Sequence, residues 1–417
     1  MMAEVTVWWG KHRVGVLSVD QGRLGFEYSA TWVANPDSHP LSHSLPLRLE
    51  PFTAREARPF FAGLLPEGQV RRVIAQQLQV SETNDFALLE ALGGECAGAV
   101  RFEKSGEPVP SPNSAEEIRW LADEDVVDLL EELPKNPMMV GREGLRLSLA
   151  GAQDKVPVVF DGTRIGLPLN GAASSHILKP AIASLEDTVS NEAFCMNLAS
   201  VMGLGPARAH IHTVQDITFL LVERYDRVRN EAGELERVHQ EDLCQALGVA
   251  PEIKYQNEGG PSFAQCFDLI RETTIPSAPH LIRLFDYAVF NALVGNHDAH
   301  AKNFSLLYVS GDPVLAPLYD VVSTAVYPNL TEKMAMKVGR KYKFSDVYAR
   351  HWEEFAHAAG LSSGQARKRI LRLATELPGA AQPLSQDPHH VFAGKPIVSK
   401  IVGLIENRCG MAVTRLR

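Results

Sequence analysis

The sequence predicts an α+β chain whose first part is β-rich and whose second part is helical. Three observations carry that prediction. Apolar and polar residues alternate through residues 3–35 and again through much of 145–224, the period of a strand. Beyond Val238 apolar residues recur mostly at helical spacing. Within that helical part lies a polar knot, Asn296, His297, Asp298, His300, Lys302 and Asn303, followed by an apolar hairpin ending at Tyr319-Asp320.

The 417 residues suffice for two or three domains with a substantial core. Apolar residues make up 45% and charged residues 22%, which excludes a wholly disordered chain. The net charge of −9 speaks against wholesale coating of nucleic acid and leaves room for a local basic face. Five scattered cysteines, Cys96, Cys195, Cys244, Cys266 and Cys409, form no CxxC pair. They suggest neither a zinc site nor a disulfide framework, and fit a reducing compartment. The N-terminus lacks an apolar signal core, and no apolar run approaches the ~18 residues of a membrane span. A cytoplasmic protein is expected.

In chain order, Val5, Val7, Trp9, Val14, Val16, Leu17, Phe26 and Tyr28 around Asp20-Gln21-Gly22 predict a β-meander. Ser44 to Leu47 reads as extended. Residues 60–68 (FFAGLLPEG) feed a helix over 69–78, and Asp85 reads as the N-cap of a helix over 86–92, ended by Gly93-Gly94. Residues 1–105 are thus expected to form an α/β module. Residues 104–113 (KSGEPVPSPN) have linker composition. Ser114 and Glu117 stand in capping-box spacing for a helix through Leu133, so 106–140 reads as linker and helix. From Leu145 the pattern is strand, turn, strand: Leu145, Leu147 and Leu149, the turn 150–155, then a run from Val156 to Phe160. A strand over 174–180 ends in Lys179-Pro180, a helix follows over 191–202, then strands near 209–212 and 219–224. Residues 141–227 have the outline of a kinase small lobe. Residues 228–417 read as a helical lobe, with helices at 241–247, 263–272, 280–293, 345–359, 365–377 (capping box Ser362 and Gln365) and 395–408.

Several residue patterns suit phosphoryl transfer. Ala150, Gly151 and Ala152 let backbone N–H groups approach an anion closely, or make an ordinary hairpin with a glycine bulge. The GxxxxGK[ST] pattern is absent. Lys179, pinned at a strand end, suits α/β-phosphates, or snorkels to solvent. Glu192 either pairs with Lys179 or simply sits at a favourable helix start. Residues 220–227 (LLVERYDR) lie where a kinase hinge meets adenine, or are the charged end of a strand. Asp298, in a polar loop after a buried helix, can accept the proton of a substrate hydroxyl. Asn303 completes the D-x-x-x-x-N spacing of a kinase catalytic loop. Asp320 supplies a second oxygen for Mg²⁺, and Lys302 offsets phosphate charge. Otherwise Asp298 and Asn303 cap local turns. His297-Asp298-x-His300 also suits a metal-dependent phosphohydrolase, although His389-His390, in a Pro/Gln-rich loop, does not obviously complete such a site.

Eight blocks, SLAGAQDK (148–155), HILKP (176–180), NEAFCMNLA (191–199), LLVERYDR (220–227), HQEDLCQALG (239–248), KYQNEGGPSF (254–263), GNHDAHAKNFS (295–305) and LAPLYDVVS (315–323), occur in one order. In that order the chain resembles the HipA-type toxin kinases, and FFAGLLPEG (60–68) and GECAGAV (94–100) resemble that family's N-terminal module. The resemblance implies a protein-kinase-like, phosphatidylinositol-kinase-related two-lobed fold with an all-helical C-terminal lobe. It implies a serine/threonine protein kinase, the toxin of a type II toxin–antitoxin pair, using ATP and Mg²⁺. The implied partner is a HipB-like helix-turn-helix antitoxin bound to operator DNA. The implied substrate is an aminoacyl-tRNA synthetase, the glutamyl enzyme favoured, with growth arrest and persistence as the result. By position, Asp298 matches the catalytic aspartate, Asn303 and Asp320 the Mg²⁺ ligands, and Lys179 the ATP-phosphate lysine. Ala150, Gly151, Ala152, Gln153, Asp154 and Lys155 match the ATP loop, Glu223 and Tyr225 the adenine hinge, and Ser148 the autophosphorylated serine. Asp154 stands where the family commonly has glutamate, and relatives vary at His297 and Ala299. A competing reading is a non-catalytic co-repressor scaffold that bridges antitoxin dimers on DNA, with Arg367-Lys368-Arg369 and Arg372 on the phosphates.

Overall fold

The computed structural model describes residues 3–104 and 118–416. The expected linker beyond Lys104 and the Ser114–Glu117 capping box lie outside the described residues. The meander forms as the alternation requires. Strands Arg23–Tyr28, His12–Asp20 and Ala3–Trp9 pair antiparallel, and Val100–Lys104 adds to the free edge of Ala3–Trp9. Val5, Val7, Val14 and Leu17 are wholly buried. A helix not expected from the sequence, Ala54–Gly63, lays Phe61 against Phe26 with ring centroids 5.1 Å apart. Pro59 reads as a breaker, but it forfeits only one backbone bond, and Glu56 starts the helix by accepting from the Thr53 N–H at 2.8 Å. Asp85 is not the expected N-cap. Asn84 caps Ala87 N–H at 3.1 Å, while Asp85 opens the helix paired to Arg58 at 2.7 Å and Arg71 at 2.5 Å.

A six-stranded antiparallel sheet follows, in the order Ile118–Trp120, Ile165–Pro168, Val156–Phe160, His176–Pro180, Ile217–Glu223, Ala209–Val214. The helix expected to run up to Leu133 starts only at Asp123, because Ile118–Trp120 joins this sheet as an edge strand. The expected strand over 145–149 does not form. Leu147 makes a single bridge to Glu95, and the segment is used to strap residues 95–96 by Glu95 N–H to Arg146 O and Ser148 N–H to Glu95 O. The unbroken apolar run Phe219 to Val222 has a physical reason. Phe219 and Leu221 face a core shared with the N-terminal meander, while Leu220 and Val222 face the core of the helical lobe. Both faces of the strand are therefore apolar.

In the second half, helices Phe263–Thr273, Ser277–Val294, Ala349–Ala358, Ser363–Leu384 and Pro396–Leu416 enclose one core. The lobe is not all-helical. Gln240–Asp242, Ser305–Val309 and Asp312–Leu315 form a three-stranded sheet, and Lys333–Val338 pairs with Lys341–Lys343. One helix is expected to end at Leu377, before Pro378. The helix continues to Leu384 because Leu377, Ala381 and Leu384 bury an apolar stripe that outweighs the bonds lost at Pro378 and Pro383.

Candidate functional site

Helix Ser277–Val294 is buried along its second half, with Phe285, Val289, Phe290 and Leu293 inaccessible to solvent. It stops at Gly295, whose φ is +80°, a conformation that disfavours any side chain. A Cβ there would also lie 2.8 Å from Ala325 Cβ. The chain then turns sharply and its side chains fix the turn. Asn296 Oδ1 accepts from the Asp298 N–H at 3.0 Å, and Asn296 Nδ2 donates to Asn291 Oδ1 at 2.8 Å. Asn303 Nδ2 donates to the Asp298 carbonyl at 3.0 Å, which leaves Asn303 Oδ1 without a hydrogen bond among the described residues. The Asp298 carboxylate projects into a cleft, where Tyr255 OH donates to Oδ1 at 2.7 Å. Its tip reaches solvent while the cleft walls surround it. That desolvation raises its pKa, and the Tyr255 hydrogen bond is the largest opposing influence.

Opposite Asp298, strand His176–Pro180 presents Lys179. Its ammonium lies 2.7 Å from Glu192 Oε1 and 2.7 Å from Asp320 Oδ1. Burial works against the charge on Lys179, but the two carboxylates outweigh it and hold the lysine protonated. Asp320 is likewise held ionised against burial, by Lys179 and then Lys155. Asp320 has φ +58°, a left-handed backbone at a non-glycine residue, as is common where a site over-determines its geometry. Its Oδ2 accepts no hydrogen bond among the described residues. The turn 150–155 closes over this cluster. Gly151 has φ +108°, its carbonyl accepts from the Glu67 N–H at 3.0 Å, and Lys155 Nζ donates to Ala150 O at 2.8 Å. The result is one cleft of roughly 1080 Å³, lined by residues 150–155, Lys179, Glu223, Tyr225, Asp298, Lys302, Asn303 and Asp320.

Similarity to known proteins extends over most of the chain. Residues 5–103 match the family model described as the HipA N-terminal domain, and residues 147–381 the HipA-like C-terminal domain. "Putative kinase Y4mE" of Sinorhizobium fredii is 44% identical, over 97% of this chain and 97% of its own. The chain belongs to the HipA kinase family. The serine/threonine-protein kinase toxin HipA of Shewanella oneidensis is 31% identical over 89% of this chain and 87% of its own. Among solved structures, the Shewanella oneidensis HipA complex with HipB and operator DNA superposes with a TM-score of 0.85 at 26% identity. It covers 99% of this chain and 98% of that one.

Other features of this HipA-family chain were not legible or were placed differently. Lys302 lines the cleft but is committed elsewhere. Its ammonium sits 2.6 Å from Asp242 Oδ2, 3.3 Å from Gly63 O and 3.7 Å from Glu67 Oε1, tying the N-terminal module to the helical lobe. Ser148 does not line the cleft. It is inaccessible to solvent, and its hydroxyl donates to Leu64 O at 2.8 Å. Glu223 is exposed, 3.7 Å from Arg208, and Tyr225 packs at 5.6 Å centroid distance from Tyr319, the residue before Asp320. The charges after the 217–223 strand are not a solvated end. Arg224, Arg227 and Arg237 converge on buried Glu95 at 3.1, 2.8 and 2.5 Å, and Asp226 takes Arg224 at 2.7 Å and Arg227 at 3.0 Å. Gly98 N–H donates to Asp226 at 2.7 Å, so the N-terminal module holds residues 224–227 directly. Tyr255 and Glu95 had no local signal of these contacts, since each meets its partner across the fold.

Proposed function

We propose that the chain is a serine/threonine protein kinase toxin that transfers the γ-phosphoryl group of ATP to a protein hydroxyl. The observation that carries this reading is the convergence on one cleft of Asp298 and a Lys179 ammonium bridged between Glu192 and Asp320. Asp298 orients the acceptor hydroxyl and takes its proton as the oxygen attacks the γ-phosphorus and the bond to the β-phosphate oxygen breaks. Lys179 and the backbone of 150–155 hold the phosphates, with Glu223 and Tyr225 beside the adenine. The free oxygens of Asn303 and Asp320 are hard ligands that fit Mg²⁺, which neutralises phosphate charge when bound. Lys302 acts as a structural tie under the site.

Ser148 is the self-phosphorylation site in this reading. Its burial means that residues 148–155 must leave their seat on Leu64 and Glu67 first, and about two added negative charges then oppose reseating over ATP. Intact mass after incubation with Mg-ATP tests the activity. The expected result is one added phosphate, mapped to Ser148, and none in Asp298→Asn. No added phosphate, or the same gain in the variant, contradicts it.

Tyr255→Phe gives a second check. Removing the donor raises the Asp298 pKa further, so the acidic limb of the kcat/KM profile moves to higher pH. At neutral pH the loss in rate is about ten- to a hundredfold, the scale of one hydrogen bond to a charged group. An unmoved limb would take Tyr255 out of this role.

By likeness to the Shewanella complex, the partner is a HipB-like antitoxin on operator DNA. The substrate is an aminoacyl-tRNA synthetase, the glutamyl enzyme favoured, and the compartment is the cytoplasm. No described helix is long and apolar enough to cross a membrane. The rival readings gain no support. His297 is occupied through both ring nitrogens, by Thr331 O at 2.9 Å and Arg408 at 2.7 Å. Among the described residues no group of three or more His, Cys, Asp or Glu side chains could hold a metal ion, as the phosphohydrolase reading would need. In the basic run of the scaffold reading, Arg369 is bound to Asp286, and Arg372 lies 3.9 Å from Asp286 and 3.7 Å from Glu376.

A further inference from the structure

Strand Lys333–Val338 runs directly beside the catalytic turn. The Ala335 N–H donates to the carbonyl of His297, the residue before Asp298, at 2.7 Å. The Lys337 N–H donates to Gln256 Oε1 at 2.7 Å, beside Tyr255. The strand's pleat sorts its side chains. Met334, Met336 and Val338 enter the core, each no more than 6% exposed. Lys333 and Lys337 therefore stand on the other face, on either side of Ala335. Lys333, Met334 and Ala335 line the cleft, and Lys337 stands beyond its lining.

The surrounding charge is strongly one-sided. Residues 331–343 hold Lys333, Lys337, Arg340, Lys341 and Lys343 against Glu332 alone, in a chain of net charge −9. Glu332 is taken by Lys343 at 2.8 Å, and Arg340 meets Glu354 at 3.2 Å. Among the described residues, no carboxylate comes within ion-pair distance of Lys333, Lys337 or Lys341. Lys337 leans over the Tyr342 ring at 4.8 Å, which holds its stem upright rather than neutralising it.

We infer that Lys333 and Lys337 form an acidic-segment recognition face for the phosphoacceptor protein, which selects a serine or threonine flanked by aspartate or glutamate. This rests on the kinase reading and names the substrate chemistry of that site. An extended segment lying along the strand would meet the two ammonium groups with carboxylates about four residues apart, roughly 13 Å. A peptide is favoured over nucleic acid because the face adjoins the turn that carries Asp298, the residue that takes the acceptor proton. Long duplex contacts need a wider basic surface.

The test uses two synthetic serine peptides, one flanked by Asp and Glu and one by Asn and Gln. Binding is read by fluorescence anisotropy on the full-length Asp298→Asn protein, so that it does not depend on turnover. The acidic peptide should bind more tightly, and Lys333→Glu with Lys337→Glu added to that background should weaken it by about tenfold or more, with 0.5 M salt doing the same. In an otherwise native chain Lys337→Glu alone, outside the cleft lining, should raise KM for the acidic peptide and leave KM for ATP and Ser148 self-labelling unaltered. Equal affinity for the two peptides, or no effect of the double change, overturns the inference. So does a preference of the face for RNA or DNA oligonucleotides over the acidic peptide. Tight acidic-peptide binding without phosphoryl transfer by the unmodified protein would support the face and remove the kinase reading instead.

Discussion

Asp298→Asn is expected to lower phosphoryl transfer by about 10²–10⁴-fold while nucleotide affinity changes little. The asparagine keeps the size of the side chain. It also retains an oxygen for the Tyr255 hydroxyl that now donates at 2.7 Å. What it loses is a group able to take the acceptor proton. The turn itself should survive, because it is held by Asn296, Asn303 and Gly295 rather than by the Asp298 carboxylate. A calorimetric titration with an ATP analogue, set beside a single-turnover assay, separates the two effects. Retained transfer would remove Asp298 from the role of base. Joint loss of transfer and nucleotide binding would mean that the variant disturbs the cleft as a whole.

Glu95→Gln should destabilise the chain by about 3–5 kcal/mol near neutral pH, the scale for breaking a buried ion pair by removing one partner. Glu95 is the point where three arginines meet, and its removal leaves Asp226 as the remaining carboxylate in contact with Arg224 and Arg227. Burial pushes the Glu95 carboxyl up, but Arg227, Arg237 and Arg224 outweigh it and hold it far below its ordinary value of 4.5. Its folded pKa therefore lies below the unfolded one. The stabilisation is fully present above about pH 4.5 and is lost as pH falls toward the folded value. Urea unfolding of both proteins from neutral to acid pH should show the widest gap near neutrality and a narrowing gap in acid. A gap that is small, or flat with pH, would contradict the account of this network. The consequence reaches the cleft because Arg224 and Asp226 flank Tyr225, which lines it.

The turn that carries Asp298 was legible because its pattern is local. Helical spacing up to Leu293, a glycine stop at Gly295, and a carboxylate and amide five residues apart all lie in one short stretch. The small-lobe strands were legible for a similar reason, since alternation records a pleat. What escaped is what the chain brings together from afar. Tyr255 meets Asp298 across 43 residues, and Lys302 meets Gly63 across 239. From sequence alone Lys302 read as a phosphate partner, because Asp242 and Glu67 could not be seen beside it. The Lys179–Glu192 pair had only positional support until the sheet and helix placed the two side chains 2.7 Å apart. Leu145, Leu147 and Leu149 alternate like a strand yet form none, since burial of one face also suits an extended strap over Glu95.

The most direct measurement is a crystal structure with a non-hydrolysable ATP analogue and Mn²⁺, whose anomalous signal locates the metal. The account predicts metal density at Asn303 and Asp320, the phosphates between Lys179 and the 150–155 turn, and the γ-phosphate facing Asp298. Nucleotide bound outside this cleft, or metal held by other side chains with Asp298 facing away, would contradict it.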